Sequence, residues 1–399
     1  YTAASINFAV AALGMILALQ TKRLEKVSSK EPEYPARETG FLPVYAVIGI
    51  SGLCALGAEV VWTRLLSLLL GGTVYTFAII LAVFLTGLGI GSGAGSFLAR
   101  SLDRSREALG WCQLLLTAAV LWGSWGVTSF LPYWSVNSSH STVLWQTFSL
   151  DLLRSLIVVL PAACLWGMSF PLALASVVSR GKEPGRLVGQ VYAANTLGAI
   201  IGAIGFSMLI IPAAGTRQAQ RLLIVLAGFA SLTMFLPLLR RECERANFIG
   251  WSGKAGFRFG AAIIVAGFVA LLAWRVPETP WGLAAYGRFL SSRADRLAPG
   301  ITAENAVPTG EGNPDIFCTY FGEGMSESVA VSQSRDGIRN FHASGKVQAS
   351  NHPGDMRLQR MLGHITALSQ ENPQSVLVVA CGAGVTAGSF VTYPASNAL

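Results

Sequence analysis

Residues 41–70, FLPVYAVIGISGLCALGAEVVWTRLLSLLL, contain a single Glu and a single Arg; the rest is apolar, small or hydroxylated. A helix of a water-soluble protein keeps one polar face, because that face meets solvent. Here whole turns are apolar all round, and the run exceeds the roughly 20 residues that cross a bilayer core. Further blocks of the same kind lie at 3–20, 74–99, 109–131, 147–179, 189–211, 219–238 and 257–275. With 43–70 they make about eight spans, so the chain reads as a polytopic α-helical membrane bundle. The composition agrees, with 52% hydrophobic and only 13% charged residues among 399.

The basic residues behind the formal net charge of +8 gather between the blocks rather than along one face, which argues against a nucleic-acid partner. Lys22, Arg23, Lys26, Lys30 and Arg37 fill the first loop, and Arg100, Arg104 and Arg106 the third. Arg180, Lys182 and Arg186 fill the fifth, and Arg240, Arg241, Arg245, Lys254 and Arg258 the seventh. The turn at Gly71 and Gly72 and the stretch 132–146 have none, and only Arg217 and Arg221 dilute the pattern. The positive-inside rule then puts the odd loops in the cytoplasm. With a true span at 257–275, everything after it falls on the outer side. The six cysteines show no CxxC pair and read as small buried hydrophobes.

Residues 2–19 and 219–236 are both apolar helices followed by a basic loop, a weak internal repeat. On that reading 1–20 is the last helix of a preceding unit, 41–240 a six-helix membrane unit, and 257–275 a further transmembrane helix. The chain opens without Met and stops just after a glycine turn, so it is expected to be a fragment truncated at both ends. After Trp274 the composition turns to Pro, Gly, Ser and charge, giving a linker over 276–316 and the start of a soluble domain over 317–399. Within it, 328–332 and 338–343 alternate as strands joined across Asp336 and Gly337, with a third strand from Lys346, a small β-meander. An amphipathic helix is expected over 355–369, with Leu358, Met361, Leu362, Ile365 and Leu368 on one face. Val376 to Ala380 reads as a buried parallel strand.

That strand runs into Cys381, Gly382, Ala383 and Gly384 and then VTAGSF, a strand–glycine turn–helix sequence. The glycines let backbone approach a nucleotide cofactor, or they simply make a tight turn. FGEGMSESVAVSQSRDGIRNFHASGKVQAS at 321–350, RLQRMLGHITAL at 357–368 and VLVVACGAGVTAG at 376–388 together resemble the opening of the spermidine synthase (polyamine aminopropyltransferase) family. The resemblance implies a small β-domain followed by a Rossmann-like domain that binds decarboxylated S-adenosylmethionine, whose aminopropyl carbon is attacked by an amine. It places Gly382 and Gly384 in the cofactor loop, Gln348 near the cofactor, and Gln359, also read as cofactor-binding, where the family often carries a Tyr-His-Glu or Tyr-Gln-Glu triplet. Here that triplet reads Leu358, Gln359, Arg360, and a cation where the family carries a carboxylate repels an amine. Ala380 and Cys381 also depart from the family's loop. The family's ribose-binding acid and catalytic aspartate fall beyond Leu399, so no catalytic residue is assigned and the α/β domain is expected to be incomplete. Residues 51–92 and 185–217 resemble bacterial proteins in which major-facilitator-like helices precede a spermidine synthase domain.

Glu59 and Arg64 are the most pointed intramembrane charges; five residues apart, they lie on different faces of their helix. They read as a polar binding or translocation site, or as a structural pair or interfacial anchor. Asp151 and Arg154, at i and i+3, are expected to pair. Gly198, Gly202 and Gly205 would allow close helix approach, with Tyr192 and Asn195 bonding between helices. Pro161 and Pro171 are expected to kink their span. The four histidines stand at no metal-ligand spacing, and no metal site is assigned. Two functions follow. The first is a membrane-bound aminopropyltransferase in a bacterial inner membrane, with the lipid bilayer and an amine as partners; the second is a polyamine or small-molecule transporter or sensor with a non-catalytic synthase-like domain.

Overall fold

The computed structural model describes residues 8, 12, 13, 15, 16, 41–102, 104–134, 144–178, 184–245, 251–301, 315–371, 375–379 and 382–393. Side chains are described for these except 144, 178, 184, 236–245, 251–259 and 298–301. Residues 1–39 form a unit of their own, in which Phe8, Ala12, Leu13, Met15 and Ile16 are helical. The expected span 3–20 and the basic loop after it lie mostly outside the described residues.

In the second unit the helices are α1 (Leu42–Leu70), α2 (Val74–Ser101), α3 (Ser105–Trp125), α4 (Leu144–Val178), α5 (Pro184–Gly205), α6 (Ile211–Arg245), α7 (Trp251–Trp274) and the short α8 (Trp281–Tyr286). Pro43 opens α1 where its missing N–H costs nothing, and Thr73 caps α2 by accepting from the Thr76 amide at 3.2 Å. α3 continues through a wide turn at Gly126–Phe130, as α5 does at Phe206–Ile210. Pro161 and Pro171 lie inside α4, which is assigned as one continuous helix.

Among the described residues, five helical runs are long and apolar enough to cross a membrane: Leu42–Leu70, Val74–Ser101, Ser105–Tyr133, Trp145–Val177 and Gly185–Phe235. The last has 51 residues, about 77 Å as a straight helix against a core of about 30 Å. It is not straight: Gly215 takes φ 80° and ψ 169°, outside helical space, and divides it. Gly260–Trp274 is a shorter apolar helix.

Large apolar side chains occupy both the inside and the outside of this bundle. Trp62, Phe84 and Trp166 meet at its centre, with ring centroids 5.8 and 6.0 Å apart. Phe97, Ile201, Leu209 and Ile264 face outward and are exposed. So much exposed apolar surface is unfavourable in water and compatible with lipid. Inside, the helices meet backbone to backbone. A Cβ placed on Gly198 of α5 would stand 1.8 Å from the Gly49 carbonyl oxygen of α1. Gly202 shows the expected close approach as well, whereas nothing lies near Gly205. α1 and α5 are also joined by Tyr45, which donates to Gln190 Oε1 at 2.8 Å, and Tyr192 is exposed.

The remaining residues build one sheet in the order β1 (Leu297–Ile301), β2 (Ile316–Glu323), β3 (Ser328–Ser334), β4 (Arg339–Ala343), β5 (Lys346–Ser350). β1 is parallel to β2, and β2 to β5 form an antiparallel meander. The turn at Asp336 and Gly337 joins β3 to β4 as expected, while β1 and β2 were not foreseen. The stretch read as a linker holds α8, whose residues are all buried against the sheet and the end of α1. α9 (Pro353–Leu368) and α10 (Val385–Phe390) follow.

Gly198 is the position where α1 and α5 touch most closely. Gly198→Ala is expected to cost about 1–3 kcal/mol by forcing the helices apart. Gly205→Ala, facing open space, should be neutral or stabilising by up to about 1 kcal/mol. Thermal melts of the two variants in detergent check the contrast.

Candidate functional site

The glycine turn comes first. Gly382 and Gly384 have φ 57° and 77°, left-handed conformations that glycine adopts without a Cβ clash, and Gly384 leads directly into α10. α10 packs on α9: the Thr386 hydroxyl donates to the Gln359 carbonyl at 3.0 Å, and Gly363 lies under Thr386 and Ser389. His364 Nδ1 and the Tyr393 hydroxyl are 3.0 Å apart. Of the expected cofactor residues, Gln359 thus meets the helix that the glycine turn opens, through its backbone carbonyl. Gln348 lies on β5, where its side-chain amide donates to the Ala343 carbonyl at 3.4 Å. Ala380 and Cys381 lie outside the described residues.

One expectation here is corrected. Residues 375–379 form no strand, and Leu377 and Val379 are exposed, because none of the five strands lies alongside to take their N–H and C=O groups. The apolar face of α9 has the foreseen spacing, yet Leu358, Met361, Leu362, Ile365 and Leu368 are all exposed.

The second cluster joins the sheet to the bundle. Where Gly215 breaks the helical run, the Glu323 carboxylate accepts from the Thr216 amide at 2.7 Å and the Thr216 hydroxyl at 2.8 Å. Arg217 pairs with Glu278 and donates to the Val276 carbonyl. The expected Asp151–Arg154 pair forms at 3.7 Å, and Arg288 adds a second cation at 3.1 Å while donating to the Leu70 carbonyl at 2.5 Å. Arg64 donates to the Met325 carbonyl at 3.3 Å and to Ser328 Oγ at 3.5 Å. Glu59 has no ion-pair or hydrogen-bond partner among the described residues; with Arg64 it lines a cavity of about 540 Å³. Sequence reasoning singled out Glu59 and Arg64 but missed Glu323 and Arg288, whose partners are more than a hundred residues away.

His342 is fully buried beneath α8. Its Nδ1 is 3.0 Å from the Ala285 carbonyl, so that nitrogen carries the proton, and Nε2 accepts from Ser332 Oγ at 2.7 Å. Burial, with the nearby Arg293 charge assisting, pushes its pKa down to about 4 against the Ala285 bond, which favours the cation. Burial likewise raises the Cys318 thiol to about 11, leaving it protonated and unreactive at neutral pH. Among the described residues no group of three or more His, Cys, Asp or Glu is arranged to hold a metal.

The arrangement defines an apolar helical bundle capped by a small sheet and followed by a glycine turn at a helix start. Proteins similar to this chain bear one name. Polyamine aminopropyltransferase 2 of Streptomyces coelicolor is 26% identical over 223 residues, 54% of this chain and 38% of that protein. Polyamine aminopropyltransferase of Oceanobacillus iheyensis is 22% identical over 351 residues, 88% of this chain and 58% of that protein. Polyamine aminopropyltransferase 1 of Streptomyces coelicolor is 23% identical over 253 residues, 63% and 43% of the two chains. The chain thus spans about half the length of the curated relatives it matches. No protein-family model matches it, and no solved structure does.

The buried ring of His342 links stability to pH. The unfolded ring titrates near 6.5 and the folded one near 4, so the stability it contributes is complete above pH 6.5 and is lost as pH falls toward 4. Hydrogen-exchange protection factors of β3 and β4, corrected for the intrinsic pH dependence of exchange, should fall as pH is lowered across that window. His342→Gln, which cannot charge, should flatten the dependence.

Proposed function

We propose that the protein is a membrane-bound polyamine aminopropyltransferase-like protein that transfers an aminopropyl group from decarboxylated S-adenosylmethionine to an amine. On this reading the chain crosses a bacterial inner membrane about eight times. The glycine turn opens a Rossmann-like domain, with Gly382, Gly384, Gln348 and Gln359 toward the cofactor. The observation that carries the reading is the turn itself: two left-handed glycines at a helix start, with the Gln359 carbonyl bonded to Thr386 of that helix, in the order the aminopropyltransferase resemblance implies. The names of the relatives, one of them matched over 88% of this chain, support it.

The chemistry is a displacement. The amine lone pair forms a C–N bond to the aminopropyl carbon as the C–S⁺ bond breaks, a neutral thioether nucleoside leaves, and the nitrogen gives up a proton. Positioning the two reactants accounts for much of such a rate. Backbone freed of Cβ atoms at Gly382 and Gly384 lets the turn approach the nucleoside. Purified protein in detergent is expected to bind labelled decarboxylated S-adenosylmethionine in equilibrium dialysis. Gly384→Val, strained at φ 77°, should weaken binding at least about tenfold. Absence of binding by the unmutated protein would refute the reading.

A second reading, a transporter or sensor with a non-catalytic synthase-like domain, is favoured by one observation. The sheet packs at the bundle end that holds Gly71, Asp151 and Gly215, opposite Arg104 and the Arg186 that acts on Tyr45. Arg217 and Arg221 at the sheet's end are engaged by Glu278 and by the Val276 and Ala273 carbonyls. The positive-inside rule would set that end outside, away from a cytosolic cofactor. Maleimide labelling of Asp336→Cys, on the exposed β3–β4 turn, in intact cells separates the two. Protection is the result expected of a transferase. Labelling from outside would favour the transporter or sensor.

A further inference from the structure

We propose that the cavity between the C-terminal half of α1 and the β2–β3 turn binds an amphipathic ammonium ion, with its charged head on Glu59 and its alkyl part along Phe77 and Ile211. The site is distinct from the glycine turn and does not rest on the transferase reading.

The cavity holds about 540 Å³, within the usual range for small-ligand sites. Its charged lining is Glu59, Arg64 and Glu327. Arg64 is already committed: it holds the turn through the Met325 carbonyl and Ser328 Oγ, and the carboxylates of Glu323 and Glu327 both act on it. Glu327 in turn accepts from the Ser344 hydroxyl at 3.1 Å. Glu59 is left over. It stands eleven residues before Leu70, so about 16 Å along α1 from the sheet end, at a depth where a lone charge is costly. No Lys or Arg other than Arg64 lines the cavity among the described residues, so a bound ammonium ion would supply the charge that Glu59 lacks there.

The remaining lining narrows the ligand class. Leu56, Phe77 and Ile211 give one wall an apolar surface, while Thr63, Ser67 and Ser207 offer hydroxyl oxygens that accept N–H bonds. A carboxylate at the bottom, hydroxyls above it and an apolar wall match a primary ammonium on a short alkyl chain. Two carboxylates against one guanidinium disfavour an anion. A strongly hydrated inorganic cation would leave the apolar wall uncovered.

The test uses the full chain in lipid nanodiscs with Ser67→Cys, a position on the cavity wall, and follows its rate of maleimide labelling with n-hexylamine, hexanol or hexanoate added. Labelling of the chain without this substitution is subtracted. Hexylamine is expected to slow labelling saturably, and adding Glu59→Gln to raise its half-maximal concentration at least about tenfold. Equal protection by hexanol, preferential protection by hexanoate, or indifference to Glu59→Gln would each overturn the proposal. If Glu59→Gln does not fold, Glu327→Gln, on the exposed turn, makes the lining less negative by the same unit and must also weaken hexylamine. Unchanged affinity there overturns the proposal equally. Protection without added amine in nanodiscs containing phosphatidylethanolamine, absent when that lipid is omitted, would support the ammonium site and assign its source to a headgroup.

Discussion

The Glu323 carboxylate, bonded to both the amide and the hydroxyl of Thr216, is the joint on which the arrangement of bundle and sheet depends. A helix that starts afresh after Gly215 presents amides with no partner in the preceding turn. In a water-soluble protein, solvent or a local cap would satisfy them. Here the acceptor comes from the end of β2, so the same two bonds complete α6 and hold the sheet at the mouth of the bundle. Thr279 joins the cluster through the Thr216 hydroxyl, and Arg217 ties Val276 and Glu278 alongside, which fixes the chain as it leaves α7 and enters α8.

Around that joint the sheet is seated by groups that would otherwise be costly. Gly345 donates to the Ala284 carbonyl and His342 to that of Ala285, so these buried carbonyls of α8 are satisfied by β4 and the turn that follows it. Arg288 reaches both the Leu70 carbonyl, left open at the end of α1, and Asp151. Arg64 does the same for the turn at Met325. These polar closures flank an apolar core that runs from the bundle through α8 to Ile316, Cys318 and Ala330 of the sheet.

The glycine turn shows a different balance. Its conformation is set locally, since Gly382 and Gly384 take left-handed angles that any Cβ would oppose, and α10 starts where the residue pattern places it. The neighbouring elements are not completed by the described residues. Leu358, Ile365 and Leu368 line up on one face of α9 and remain exposed, as do Leu377 and Val379. The periodicity of an element is a property of its own residues; what covers it is not.

The sequence by itself determined the apolar helices, the β3–β4 hairpin turn, the amphipathic α9, the glycine turn and the pairing of Asp151 with Arg154. In each case the decisive interaction lies within a few residues or repeats with the period of the element. The tertiary structure alone decided that α8 is a buried plug rather than linker, that β1 and β2 extend the meander, and that 375–379 has no strand beside it. It alone brought Glu323 to Thr216, Arg288 to Asp151, and the β2–β3 turn to the cavity that Glu59 and Arg64 line. Those partners are separated by about a hundred residues or more, and no local pattern of charge or hydropathy encodes which distant group will close an open helix end; only the packing of the helices brings them within hydrogen-bonding reach.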